Sequence, residues 1–414
     1  MKYILIGAGS RGTTYGNWAH AHGIQIAAVA ELRPDRLKSV ANAWNVPEDM
    51  RFSDTNQLFS LGKIAEAAII ATMDRDHYSH VMAALDCGYD ILLEKPISPD
   101  PKECLEIEAK ANALGRKITV CHVLRYTNFF GALKDLLDSG TLGKVVAIKH
   151  SENIGNFHMA HSFVRGNWRN DTLSSPIIMQ KSCHDLDILL WLTGAHCKKV
   201  AAFGSLSYFQ EANAPTGSSD RCLTCAVADH CRFDARKCYL PTLGQWPTDV
   251  VCLEQTEQAL LEALKTSPYG RCVYRCDNNV CDHMSILMEF DGGITATFSL
   301  TAQTSACHRN IHIMCEDGEI IADDGTRDIR VLRHVSSQAD TFDEQIIHVR
   351  TNASGHGGGD SGIMEDFTSS LTQSAETRSS ISRSVESHLM ACAIEHARLT
   401  GTVVDMEEYR KSLM

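Results

Sequence analysis

The sequence contains no apolar run approaching the ~18 residues that a membrane-spanning helix needs, so no membrane partner is expected. It has no excess of positive charge. Lys and Arg number 39 against 51 Asp and Glu, a net charge of −12, which disfavours nucleic acid as a partner. A basic start followed by a leader-like apolar stretch is missing, which points to the cytoplasm. No internal repeat or low-complexity tract is present. What remains is 414 residues, 44% hydrophobic and 22% charged, the balance of a soluble globular chain long enough for two domains. Cysteine is not scarce. The 16 cysteines, in a reducing compartment, are expected to be thiols or metal ligands.

The chain opens on Tyr3-Ile4-Leu5-Ile6, an apolar run that reads as a short buried strand. Gly7, Gly9 and Gly12 follow at G-x-G-x-x-G spacing, with Ser10 and Arg11 between them. That spacing suits a strand that turns into a helix around a dinucleotide pyrophosphate: a tight turn, a close backbone approach, then close helix packing. A second apolar run, Ile24 to Ala30, ends in Glu31, about 20 residues on, where such a site wants an acid for the ribose hydroxyls. Glu31 would repel a 2′-phosphate and so favours NAD over NADP; Arg33 works against that preference.

Strand and helix then alternate. Helical spacing runs from Arg33 to Trp44, Tyr78 to Cys87 and Pro101 to Leu114, and strand patterns cover Ala67 to Thr72, Asp90 to Leu93 and Lys117 to Val120. This predicts an α/β fold, with an N-terminal Rossmann doubly wound parallel sheet over residues 1–122. Residues 123–414 read as an α+β domain with an open, mainly antiparallel sheet. Its expected strands are Val145 to His150, Ser285 to Phe290, Ile294 to Leu300, Ile311 to Cys315 and Ile346 to Val349, with turns at Asp291-Gly292-Gly293 and Asp317-Gly318. A Cys-rich insertion occupies about 205–275, and a final helix, Ile381 to Leu399, is expected to return to the body.

The glycine motif, Ala71-Thr72 with His77 five residues on, Glu94-Lys95-Pro96 at a strand end, and His184-Asp185-Leu186-Asp187-Ile188-Leu189-Leu190-Trp191-Leu192 together resemble the glucose–fructose oxidoreductase and inositol dehydrogenase family. The resemblance covers most of the chain and implies a bound nicotinamide at the C-terminal ends of the parallel strands. It places Thr72, His77, Glu94 and Lys95 with the glycines at the cofactor, and His184 in the active site. It also implies homo-oligomers through the open sheet, and a small carbohydrate or related molecule as substrate. The stretch His356-Gly357-Gly358-Gly359-Asp360 resembles the H-G-G-x-D of the family's NAD-dependent N-acetylgalactosaminidases, which cleave glycosidic bonds without net redox.

Lys95, at a strand end before proline, can favour a developing alkoxide. His184 suits removal of a hydroxyl proton, and Asp187 is spaced to orient it or to make a packing contact. Many members carry Asp four residues before this histidine; here that position is Gln180, followed by Lys181, which can supply a cation instead. Arg125 and Tyr126 follow the last Rossmann strand and are candidates to clamp substrate oxygens. His158 and His161, then Arg165, Trp168 and Arg169, form a polar group around one tryptophan that suits a carbohydrate. His356 joins them.

Cys222, Cys225, Cys231 and Cys238 pack four thiols into seventeen residues, which reads as a structural metal site, zinc first and iron–sulfur second. Cys272, Cys276, Cys281 and His230 are alternatives to Cys238 as the fourth ligand. The leading function is an NAD-dependent oxidoreductase that acts on a carbohydrate hydroxyl. The alternative is a redox-neutral NAD-dependent glycosidase, for which Tyr126, His158, His161 and His356 are the extra acid/base groups. A non-catalytic NAD-dependent sensor is a third class, disfavoured by the intact Lys95 and His184.

Overall fold

The computed structural model describes residues 1–336, 341–350, 355–373 and 375–414. The first half builds β1 (Lys2–Ile6), α1 (Ser10–Ala21), β2 (Gln25–Ala30), α2 (Pro34–Ala43), β3 (Arg51–Phe52), α3 (Thr55–Phe59), β4 (Ala67–Ile70), α4 (His77–Asp86), β5 (Asp90–Leu93), α5 (Pro101–Leu114) and β6 (Ile118–Val120). The six strands pair in parallel in the order β3-β2-β1-β4-β5-β6. Helices cover both faces, so the inner strands are apolar on both sides. Every residue of β4 is buried, as are Tyr3 to Ile6 of β1. Local signals fix the helix ends. In α5 the Asp100 carboxylate accepts from Lys102 N–H (2.8 Å), Pro101 starts the helix, and Gly115 ends it at φ 60°.

The second sheet contains β7 (Val145–Asn153), β8 (Cys197–Ser205), β9 (His283–Phe290), β10 (Thr295–Thr301), β11 (His308–Cys315), β12 (Gly318–Asp323), β13 (Asp328–His334), β14 (Phe342–His348) and β15 (Val404–Asp405). Their order is β14-β13-β12-β11-β7-β10-β9-β8-β15, antiparallel except for the β7–β10 pair. Burial alternates residue by residue in β9 and β10. One face packs on helices, among them α7 (Cys183–Thr193), which also touches α6 (Asn128–Asp138), and α9 (Ile381–Thr400). The other carries exposed Phe203, Leu287 and Ile321. The expected strands are all present. β8, β12 and β13 are further strands that the sequence patterns left out, and β3 is too short to leave a pattern.

One helix crosses between the halves. α8 (Gly359–Ser370) lies far along the chain but packs against the first sheet. Its Ile363, Met364 and Phe367 share a core with Tyr3, Leu5, Val29 and Ile69. Residues 377–380 follow it along β6, where Val120 N–H donates to Ser379 O (2.9 Å). The insertion forms only short helical turns and Glu257–Thr266. Among the described residues no helix is long and apolar enough to cross a membrane.

Phe367 is fully buried, its ring 5.9 Å from that of Tyr3. Phe367→Ala should lower the unfolding free energy by about 3–5 kcal/mol, read by urea denaturation, and a loss under about 1 kcal/mol would show that α8 is not part of that core.

Candidate active site

The strand order reverses between β1 and β4, and open α/β sheets bind ligands in the crevice at that point. The glycine turn stands there. Gly7 has φ +84°, and a Cβ on it would lie 2.6 Å from the Ala71 carbonyl oxygen. A Cβ on Gly12 would lie 2.0 Å from Gly7 O, so only glycine lets α1 sit this close to β1. Gly9 differs: its Cβ direction is open, with Arg36 Nη1 nearest at 3.8 Å, which leaves the backbone room for a phosphate. Ser10 is exposed at the first turn of α1. Glu31 directly follows β2, and its carboxylate accepts from Ala8 N–H (2.8 Å) and Arg33 N–H (3.0 Å). The acid therefore stands against the glycine turn, and the set fits a dinucleotide.

Arg11 joins this turn to both halves of the chain. Its Nε lies 2.8 Å from Glu94 and its Nη2 2.6 Å from Asp360. Tyr15 OH donates to the same Glu94 oxygen (2.7 Å), and the other oxygen accepts from Lys95 N–H (3.0 Å). Burial opposes ionisation of Glu94, yet Arg11 and Lys95 hold its carboxyl below the usual range. Asp360 is also lowered: hydrogen bonds from His356 and Arg11 outweigh its burial. His356 Nδ1 is 3.1 Å from Asp360. His77 is buried. Its Nδ1 donates to Pro96 O (2.6 Å) and its Nε2 lies 3.2 Å from Thr72 O, so it holds the loops after β4 and β5 together. Thr72 Oγ1 contacts His80 Nδ1 (3.1 Å).

Lys95 leaves β5 toward the start of α7. Its Nζ donates to Gln180 O (2.8 Å), one turn before His184. His184 is 8% exposed, and its Nδ1 has no hydrogen-bond partner. Burial first, then the charges of Lys95, His122, Arg309 and His356, press its pKa well below 6.5, so the ring is unprotonated at neutral pH. His122, which the sequence reading passed over, is fully buried 5.7 Å from the His184 ring, with neither ring nitrogen hydrogen-bonded. Its place just after β6 was the available signal. Lys181 pairs with buried Glu152 (3.0 Å). Arg309 bridges Glu152 (2.5 Å) and Asp185 (2.7 Å), and His150 Nε2 donates to Asp185 (2.7 Å). Gln180 donates its amide to Ser175 O.

Several candidates are committed elsewhere, because a buried charge or polar group needs its own partner. Arg125 is buried and grips Asp187 through Nε and Nη2, both at 2.7 Å. Its guanidinium is therefore already engaged away from a substrate, and Asp187 serves Arg125. Tyr126 OH donates to Asp366 (2.8 Å) and lies 3.0 Å from Ser379 Oγ; burial raises its pKa. His161 stacks on Tyr269 (4.8 Å) and meets Tyr239 OH (3.0 Å), and burial, with Arg165, takes its pKa down to about 3. Arg165 is buried against carbonyls of the insertion, and Arg169 pairs with Asp277 (2.8 Å). His158 keeps a half-buried place, edge-on to Trp246 (5.2 Å). Burial, then Lys181 and other cations including Lys95, depress its pKa. Exposed Trp168 points its Nε1 at Asp74 (3.4 Å).

The thiols differ from expectation too. Cys238 lies on Ala235–Tyr239 in a small core with Leu260 and Leu264. Cys222, Cys225 and Cys231 instead line a cavity with Cys272. Among the described residues no group of three or more His, Cys, Asp or Glu side chains is assembled to hold a metal ion. The set ending in Cys238 is therefore not drawn together: Cys238 shares the small core with Cys222, whereas Cys225 and Cys231 line the cavity without it.

Comparison with known proteins agrees with this geometry. The family model described as the oxidoreductase family, NAD-binding Rossmann fold, matches residues 1–122, and its C-terminal alpha/beta domain matches 134–406. The chain belongs to the Gfo/Idh/MocA oxidoreductase family. Its relatives include the Bacillus subtilis (strain 168) protein YteT, 26% identical over 361 residues that span 83% of this chain and 82% of YteT. Inositol 2-dehydrogenase 4 of Saccharopolyspora erythraea is 27% identical over 226 residues, 53% of this chain and 61% of that protein. Solved structures share the fold. An oxidoreductase from Agrobacterium radiobacter in complex with NAD+, L-tartaric acid and magnesium superposes with a TM-score of 0.70 at 16% identity and covers 99% of each chain. Levoglucosan dehydrogenase in complex with NADH and L-sorbose gives 0.72 at 16%, over 98% of each.

NAD should bind this Gfo/Idh/MocA member more tightly than NADP in calorimetric titrations. Glu31→Ala should narrow the gap by about tenfold or more, roughly 1.4 kcal/mol; an unchanged ratio would mean that Glu31 does not face the ribose.

Proposed function

We propose that the protein transfers hydride between a carbohydrate hydroxyl carbon and NAD. The observation that carries this reading is the approach of Lys95 to the turn that leads into His184, with His184 held neutral, at the strand ends beside the glycine turn. Gly7 to Gly12 and Glu31 would hold the dinucleotide, and the nicotinamide supplies the hydride acceptor when bound. Lys95, held by Gln180 O, favours the alkoxide that forms as the hydroxyl loses its proton. His184 takes that proton; its Nδ1 is buried without a partner, which leaves Nε2 for the substrate. Lys181 stays protonated because Glu152 outweighs its burial, and it contributes a fixed cation where Gln180 cannot titrate.

A small polyol or sugar is supported by the dehydrogenases among the relatives. The sixteen free thiols suit a reducing cytoplasm. His356, close enough to influence the His184 pKa and paired with Asp360, favours a second reading, the redox-neutral glycosidase.

The exposed Phe203, Leu287 and Ile321 on the open sheet face fit a second copy of this chain. Light scattering should return an oligomer, and Phe203→Asp with Leu287→Asp should shift it to monomers; a wild-type monomer would refute that interface.

Single-turnover reduction of bound NAD by an active sugar tests the chemistry. Lys95→Met and His184→Asn should slow it by about 10²–10³-fold, with NAD affinity nearly unchanged. The low pKa of His184 keeps the base form available in acid, so the wild-type rate should hold from pH ~8 to ~6.5 and fall only below that. Either variant within about threefold of wild type would remove that residue from its role. A stable signal of reduced cofactor favours the dehydrogenase. A transient one that decays as aglycone appears favours the glycosidase.

A further inference from the structure

We infer that Cys222, Cys225, Cys231 and Cys272 form a thiolate metal centre that neutralises the buried Arg165. Three separate observations meet here. The first is the cavity, about 20 Å³, lined by these four cysteines and Arg165. The second is backbone pairing. Arg221 and Arg271 form an antiparallel bridge, and Cys272 N–H donates to Asp220 O (2.8 Å), which sets Cys222 beside Cys272 across fifty residues of chain. Sequence spacing favours Cys238 because it is nearer in the chain. The bridge brings in Cys272 instead.

The third is a charge without a counter-charge. Arg165 is 1% exposed. It donates to Arg271 O (2.8 Å), Phe233 O (2.7 Å) and Cys222 Sγ (3.3 Å), and Cys238 and Tyr239 also stand beside it. Among the described residues no carboxylate lies within ion-pair distance of it. Asp234, which also lines the cavity, is paired with Arg236 (2.9 Å). An isolated buried guanidinium is strongly unfavourable. Four neutral thiols do not offset it. A divalent ion with four thiolates carries a net charge of about −2, as does an iron–sulfur cube with four thiolates, and either supplies the missing anion.

The four sulfurs are not drawn into ligand contact as the chain stands. The segment that carries the first three is built of short turns outside both sheets, Cys222–Thr224 and Ala228–His230 among them. Loading releases the four thiol protons to solvent, with no change in the oxidation state of sulfur. The centre lies in the insertion and staples a segment with a small core of its own.

The test is elemental analysis of the full-length protein purified anaerobically. About one zinc per chain, or about four iron with matching acid-labile sulfide, supports the site and names its occupant. Cys272→Ser should lose the metal, Cys238→Ser should keep it, and chelation should lower the melting temperature of the wild type but not of Cys272→Ser. Wild type free of zinc and iron, with all four thiols titrating freely, overturns the proposal. So does metal that survives Cys272→Ser and is lost from Cys238→Ser. The wild-type analysis decides even if a variant fails to fold.

Discussion

The Arg11 guanidinium, set between Glu94 and Asp360, is the contact on which the arrangement of the site depends. Glu94 comes from the end of β5 and Asp360 from the first turn of α8, nearly 270 residues apart in the chain. Both carboxylates are buried, and removing one partner of such a group typically costs about 3–5 kcal/mol because a charge is left stranded. Arg11 sits inside the glycine turn, so the same ion group fixes the turn, the Lys95 backbone and the His356 stretch. The glycine turn, Lys95 and the chain's distal segment are thereby held in one frame.

Much of this was legible in the sequence, and the legible part was local. Gly7, Gly9 and Gly12 announce a strand–turn–helix because their backbone geometry admits no other residue type at Gly7 and Gly12. Pro101 and Gly115 bound α5 to the residue. Lys95 and His184 sit on elements whose ends the pattern defines. Pairings between distant residues left no such trace. That Arg125 would spend its charge on Asp187, or that Lys181 would find Glu152, depends on how two sheets pack. His122 carries no motif; its place just after β6 is its one mark in the sequence, and its burial beside His184 appears only in the fold.

The cluster behind Lys181 shows how one altered residue is absorbed. Gln180 stands where the family resemblance leads one to expect an acid, and its amide is used for a local turn with Ser175. The negative charges nearby belong instead to Glu152 and Asp185, both fully buried and both held by Arg309. Buried and paired, they set the electrostatic environment of this part of the site. Burial and the charge of Lys95 help to keep both His158 and His184 neutral, and Lys181 adds to the effect at His158.

The placement of α8 has a consequence for biosynthesis. The face of the first sheet that Tyr3, Leu5 and Ile69 present is closed by Ile363, Met364 and Phe367. A ribosome delivers residues in order, at about 5–20 per second, so the nascent N-terminal unit must wait on the order of tens of seconds for its last wall. Through that interval an apolar patch faces solvent, the kind of surface on which nascent chains misassociate. Truncation upstream of α8 would make that exposure permanent, even though every strand of the first sheet would already be made.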